Sequence, residues 1–162
     1  MQPFLKIISQ FTQLERAIID ASSIIYTEKA GFLNILCDVL NIYSLPEIIT
    51  EAGNPKIRVQ LIHSHTNNKS NDEKLIQTAI DMRLPLISED RQCLMRMKRE
   101  KLDYYNALMM LNYLYFRQLI SVQEYIDYNT QMRSFARYSK EVWEFGHAVY
   151  KAICEGVDVP LC

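Results

Sequence analysis

Four carboxylates in this chain stand at junctions between segments. Asp20 closes the apolar run "AIID", Asp90 closes "LPLISED", Asp72 opens the amphipathic "DEKLIQTAIDMR", and Glu51 comes near the end of "PEIITEAG". If they converge on one cleft, like charges within ~4 to 6 Å raise one another's pKa unless a cation neutralises them. A divalent ion is the natural remedy, and oxygen donors without histidine or thiolate favour Mg²⁺ or Mn²⁺ over zinc. Such a centre suits phosphodiester hydrolysis, in which a metal-activated water attacks in line.

The acids can meet only if the segments that carry them are ordered appropriately. "AIID" is short, rich in isoleucine and without alternation, as a strand buried on both faces would be. "SSIIYTEKAGFLNILCDVLN" reads as one or two helices broken near Gly31. "IYSLP" is a second strand, and Pro46 suits the first turn of a helix that Gly53 closes. In "PKIRVQLIHS", Ile57, Val59 and Leu61 alternate with Arg58 and Gln60, which predicts a half-exposed edge strand or arm. "HTNNKSN" is a polar loop. Ser70 and Glu73 have capping-box spacing ahead of a helix with Leu75, Ile76, Ala79 and Ile80 on one face. "LPLIS", the basic helix "RQCLMRMKREK", a strand in "LDYYN" and the all-round apolar helix "ALMMLNYLYF" follow. Ser121 and Glu124 form a second capping box, and Val142, Phe145, Val149 and Ile153 make a helical stripe near the end. Strands alternating with helices imply a parallel sheet covered on both faces, with right-handed crossovers. In such a sheet the site lies at the carboxyl ends of the strands, where Asp20 and Asp90 fall. The spacing of Asp72 to Leu75 and Ile76 turns it inward, with Glu73 on the flank.

At 162 residues, 49% hydrophobic and 23% charged, the chain suits one well-buried core. A formal net charge of −1 argues against a bulk electrostatic grip on nucleic acid and leaves that work to a local patch. Cys37, Cys93, Cys154 and Cys162 are scattered, without a C-x-x-C pair, and no signal-peptide pattern is present, so reduced thiols in a cytoplasm are expected. No apolar stretch reaches the ~20 residues of a membrane span.

"IIDASSII", "LPEIITE", "NDEKLIQTA" and "LPLISED" resemble, in this order, the four acidic motifs of the PIN-domain nucleases, including their bacterial and archaeal toxin branch. The resemblance runs from Ala17 to about Arg133. It implies a three-layer α/β/α sandwich about a central parallel sheet, with extra helices at both termini. One PIN-like domain would then span 1–162, with an N-terminal helix over 1–16 and a C-terminal helical extension over 121–155. It also implies cleavage of single-stranded RNA with Mg²⁺ or Mn²⁺. Asp20, Asp72 and Asp90 would bind metal and, with Glu51, form the catalytic set. Ser22 would be the hydroxyl that steadies the site, and Ser88 the small hydroxyl two residues before Asp90. Glu73 could substitute for Asp72, and Glu89 crowds Asp90. The toxin branch would add an antitoxin partner, and a homodimer is a compatible assembly.

Plainer roles compete with these. Asp20 with Ser22 could cap the following helix, worth ~1 kcal/mol, and an acid such as Asp72 suits any first helical turn. Arg91, Arg96, Lys98, Arg99 and Lys101 follow Asp90 and could hold an RNA backbone, or be a solvated helix face. Exposure is expected for His63 and His65, a structural place for His147, and packing for Tyr104, Tyr105, Tyr113 and Tyr115. Two rival functions keep the fold: an inactive interaction module, and a structure-specific DNA nuclease.

Overall fold

The computed structural model describes residues 2–66 and 69–156. Asn67 and Asn68 of the expected polar loop, and Cys162, lie outside the described residues. In chain order the elements are α1 (Pro3–Phe11), β1 (Arg16–Ile19), α2 (Ala21–Ala30), α3 (Leu33–Val39), β2 (Asn41–Ser44), α4 (Pro46–Glu51), β3 (Gln60–Leu61), α5 (Asn71–Met82), β4 (Leu86–Ile87), α6 (Arg91–Arg99), β5 (Tyr104–Tyr105), α7 (Ala107–Phe116), α8 (Val122–Arg133) and α9 (Lys140–Cys154). They fall into two compact units: a sheet unit, Glu15–Ala107, and a helical unit formed by Met1–Leu14 with Leu108–Cys162.

The sheet unit is a three-layer α/β/α sandwich about a five-stranded, all-parallel sheet of order β3-β2-β1-β4-β5. β1 has a strand on each side, and Ala17, Ile18 and Ile19 are fully buried, which is why its sequence shows no alternation. Right-handed crossovers put the helices leading outward from β1 on one face and those leading back through β4 to β5 on the other. The packing agrees, with α2 against α3 and α4, and α5 against α6.

Local signals set the helix boundaries. Gly31 ends α2 at φ 99°, a left-handed conformation that a side chain would strain. Ser70 accepts the Glu73 N–H at 3.3 Å at the start of α5. β3 lies at the sheet edge, as its sequence predicts, but its ladder to β2 covers only two residues. Ile57 and Val59 are half-buried, whereas Leu61 is 56% exposed, so the expected shared face does not extend to it.

In the helical unit, Leu108 to Leu114 of α7 are buried all round. Phe11 meets Tyr113 edge-on at 5.5 Å, and the Tyr113 hydroxyl donates to the Leu14 carbonyl at 3.1 Å. Asn112, buried among apolar neighbours, is satisfied from both ends: it donates to the Gly146 carbonyl at 3.1 Å and accepts the Tyr125 hydroxyl at 2.7 Å. The Ser121–Glu124 capping box closes with both bonds, at 3.1 and 2.7 Å. On α9 the most buried line runs through Gly146, Val149 and Ala152, while Val142, Phe145 and Ile153 are only half-buried. The expected stripe is thus rotated, because small residues allow the close approach: a Cβ at position 146 would run into the Leu108 side chain. Tyr105 and Tyr113 are core residues, as expected. Among the described residues, no helix is long and apolar enough to cross a membrane.

Candidate functional site

The strand order sets where a ligand belongs. The chain moves outward from β1 to β2 and β3, then returns to β4 on the other side of β1. The reversal leaves a crevice at the carboxyl ends of β1 and β4, the switch point where open parallel sheets place their ligands. Asp20 follows β1 directly, and Ser88, Glu89 and Asp90 follow β4. The two ends are joined by the backbone, with the Asp20 N–H donating to the Ile87 carbonyl at 2.9 Å.

Asp20 is 5% exposed, and its carboxylate is held at both oxygens. The Ala21 N–H donates to Oδ1 at 2.7 Å, the helix-cap role open to it from sequence alone. The Ser88 hydroxyl donates to Oδ2 at 2.9 Å and accepts the Asp90 N–H at 3.1 Å, so one buried serine ties the two junctional acids together. Ser22 approaches Oδ2 at 3.5 Å and accepts the Glu89 N–H at 3.4 Å. Both serines therefore hold the β1 and β4 ends in register.

Asp72, in the first turn of α5, brings a carboxylate oxygen to this point. Oxygens of Asp20 and Asp72 and the sulfur of Cys93 all lie within 4.8 Å of one another. Asp90 stands beside them as the N-cap of α6, its Oδ1 accepting the Gln92 and Cys93 N–H groups at 2.7 and 3.3 Å. Glu51 accepts from the Asn71 side chain at 3.1 Å. Burial pushes Asp20 above the usual carboxylate range; bonds from Ser88 and Ala21 oppose this, and the charges of Asp72 and Glu51 add to it. Asp72 is raised by burial first, then by Asp90, Glu51 and Glu73. Among the described residues, no lysine or arginine forms an ion pair with Asp20, Glu51, Asp72 or Asp90. The group is an accumulation of negative charge without a protein counter-ion.

This donor set fits a hard divalent cation. Asp20 and Asp72 bring carboxylate oxygens within 4.8 Å of each other, Asp90 and Glu51 add negative potential, and among the described residues none of the four forms an ion pair with a lysine or arginine. Cys93 is the neighbour that sequence reasoning missed. It lies three residues after Asp90, so a helix beginning at Asp90 turns it toward the same crevice. Burial, followed by Asp90, Asp72 and Asp20, pushes its thiol up to about 12, so the sulfur adds no charge of its own to the acids around it.

The other sequence candidates take different places. The Glu89 carboxylate has partners of its own: its Oε1 accepts from the Ser23 hydroxyl at 3.2 Å and from the Ala107 N–H, at the start of α7, at 2.7 Å. Of the basic set, Arg91 stands next to Asp90, whereas Arg96, Lys98 and Arg99 occupy the last turn of α6. At 1.5 Å of rise per residue they lie roughly 8 to 14 Å along the axis from the cap, and Arg96 pairs with Glu100 at 3.4 Å. They do not flank the acids as a continuous patch. His63 and His65 are exposed and lie outside β3. His147 is exposed on α9, not packed as expected. No family model, curated protein or solved structure matches this chain.

Proposed function

We propose that this chain is a metal-dependent endoribonuclease of the PIN-domain type, hydrolysing phosphodiester bonds of single-stranded RNA with Mg²⁺ or Mn²⁺. The observation that carries the reading is the set of four acids, Asp20, Glu51, Asp72 and Asp90, near the switch point of the sheet, with no lysine or arginine ion pair among the described residues. The resemblance of their four segments to the PIN motifs, in order, supports the same conclusion. A divalent ion held there supplies Lewis acidity and an activated water.

The chain's own groups do the rest. Ala21 and Ser88 fix the two Asp20 oxygens, so the carboxylate is aimed before a ligand arrives. Asp72 supplies the facing oxygen, Asp90 and Glu51 keep the rim negative, and Arg91, exposed beside Asp90, is within reach of a substrate phosphate. We place such an enzyme in the cytoplasm, as the toxin of a toxin–antitoxin pair.

The test is cleavage of end-labelled single-stranded RNA with Mn²⁺, against an EDTA control and a branched DNA. Asp20→Asn and Asp90→Asn are expected to lower the rate by about 10²- to 10³-fold, the scale of removing one charge-stabilising group from an active site, with folding intact. Full activity in both variants would refute the assignment. Cleavage of branched DNA alone would make the chain a structure-specific DNA nuclease, and failure to bind Mn²⁺ would make it an interaction module.

A further inference from the structure

The helical unit carries a different cluster. Two hollows on the α8–α9 face, of ≈ 690 and ≈ 290 Å³, share Arg133, Trp143 and His147. The Arg133 guanidinium lies 4.3 Å from the centre of the Trp143 ring, and its Nε donates to Asn129 at 3.1 Å, so the side chain is both stacked and braced. The larger hollow adds Lys140, Lys151 and Glu144. With Arg133 this makes three cations against one anion, in a chain of formal net charge −1.

The two lysines are not tied down. Lys140 and Lys151 are 83% and 68% exposed, and their bridges, at 3.6 Å to Glu144 and 3.9 Å to Glu155, join i and i+4 on a solvated helix. Such pairs contribute little, so an incoming anion displaces them at small cost. The half-buried indole is already met by the Arg133 guanidinium and, edge-on at 5.1 Å, by the Tyr138 ring, so a base would stack on the part of the ring that these two leave uncovered.

We propose that the α8–α9 face binds single-stranded nucleic acid, with a base against Trp143 and phosphates on Arg133, Lys140 and Lys151. Identifying the natural strand as RNA rests on the function proposed above. Aromatic surfaces interleaved with cations are what a single strand requires, since every base offers a stacking face and every linkage a negative charge. An acidic peptide would use the cations and leave the indole idle.

Trp143 is the single tryptophan of the chain, so its fluorescence reports on this face alone. The full-length protein in EDTA, where no cleavage occurs, is titrated with a fluorescently tagged oligoriboadenylate, reading tryptophan emission and oligonucleotide anisotropy together. The expected result is a saturable emission change whose midpoint matches the anisotropy curve and moves to higher concentration with added salt. Lys140→Glu with Lys151→Glu, at solvated positions that leave the fold intact by circular dichroism, is expected to weaken binding about tenfold or more at low salt. No binding, binding without an emission change, or binding indifferent to the charge reversal overturns the proposal. An equal response to polyglutamate does so too, and assigns the face to an acidic protein. The two readings fail separately: a tryptophan response without Mn²⁺-dependent cleavage defeats only the nuclease, and cleavage with a silent tryptophan defeats only the α8–α9 site.

Discussion

The acidic rim of the sheet unit and the α8–α9 face of the helical unit handle charge in opposite ways. On α9, Lys140 and Lys151 each stand one turn before a glutamate, and in the same unit the buried Asn112 has a partner for both its donor and its acceptor. At the rim, among the described residues, Asp20, Glu51, Asp72 and Asp90 from four elements form no ion pair with a lysine or arginine, and the most buried, Asp20, is held in place by hydrogen bonds. Folding by itself favours the first arrangement. Under the function proposed here, a bound cation supplies the charge that the second lacks.

That contrast can be broken most sharply at Ser88. Ser88→Ala removes the hydroxyl that joins Asp20 to Asp90 and leaves Oδ2 poorly satisfied. The expected cost is about 1.5–3 kcal/mol of stability, the scale for a hydrogen bond to a charged group, with Mn²⁺ affinity falling about 10- to 100-fold. Denaturant unfolding and calorimetry read the two losses together. Gly146→Ala is the counterpart in the helical unit. Its Cβ meets the buried Leu108 side chain, for an expected cost of about 1–3 kcal/mol with Mn²⁺ binding unchanged. A loss of metal affinity there would show that the contrast between the regions is wrongly drawn.

The pH dependence sharpens it further. Burial, then neighbouring acids, raise Asp20 and Asp72 above their ordinary values, so the folded protein holds more protons than the unfolded chain in the interval between the two pKa values. Their contribution to stability is therefore fully present below the normal carboxylate pKa of ~4 and is lost as pH rises through the raised values. Denaturation midpoints in EDTA are expected to fall over that rise. Saturating Mn²⁺, which favours the ionised form, is expected to flatten or reverse the fall. The smallest effect belongs to Arg96→Ala, which breaks an exposed i,i+4 pair worth about 0.3–0.5 kcal/mol. It is expected to leave cleavage unchanged, whereas Arg91→Ala raises KM.

Much of this was legible in the sequence because it is written in handovers. "AIID" and "LPLISED" mark where strands become helices, and in a parallel sheet those points share one edge, so Asp20 and Asp90 could be placed without coordinates. Asp72 was legible because its distance from Leu75 and Ile76 fixes its side of the helix. Cys93 was not singled out, since a lone thiol gains its place only from the rotation of α6 against the sheet. Glu89 looked like a rival to Asp90 because adjacency in sequence does not show that its carboxylate caps α7. Arg96, Lys98 and Arg99 looked like neighbours of the acids because a charge run conceals the length of helix between its members. The α8–α9 hollows were invisible for a similar reason: Arg133 and Trp143 are ten positions apart and meet only when two helices pack.

The most direct measurement is a crystal soaked in Mn²⁺ and examined by anomalous scattering. An ion about 2.1 Å from carboxylate oxygens of both Asp20 and Asp72, lost in Asp20→Asn, is the expected result. A rim that stays free of manganese at millimolar concentration, with the fold unchanged, would contradict the claim that these acids are gathered to hold a cation.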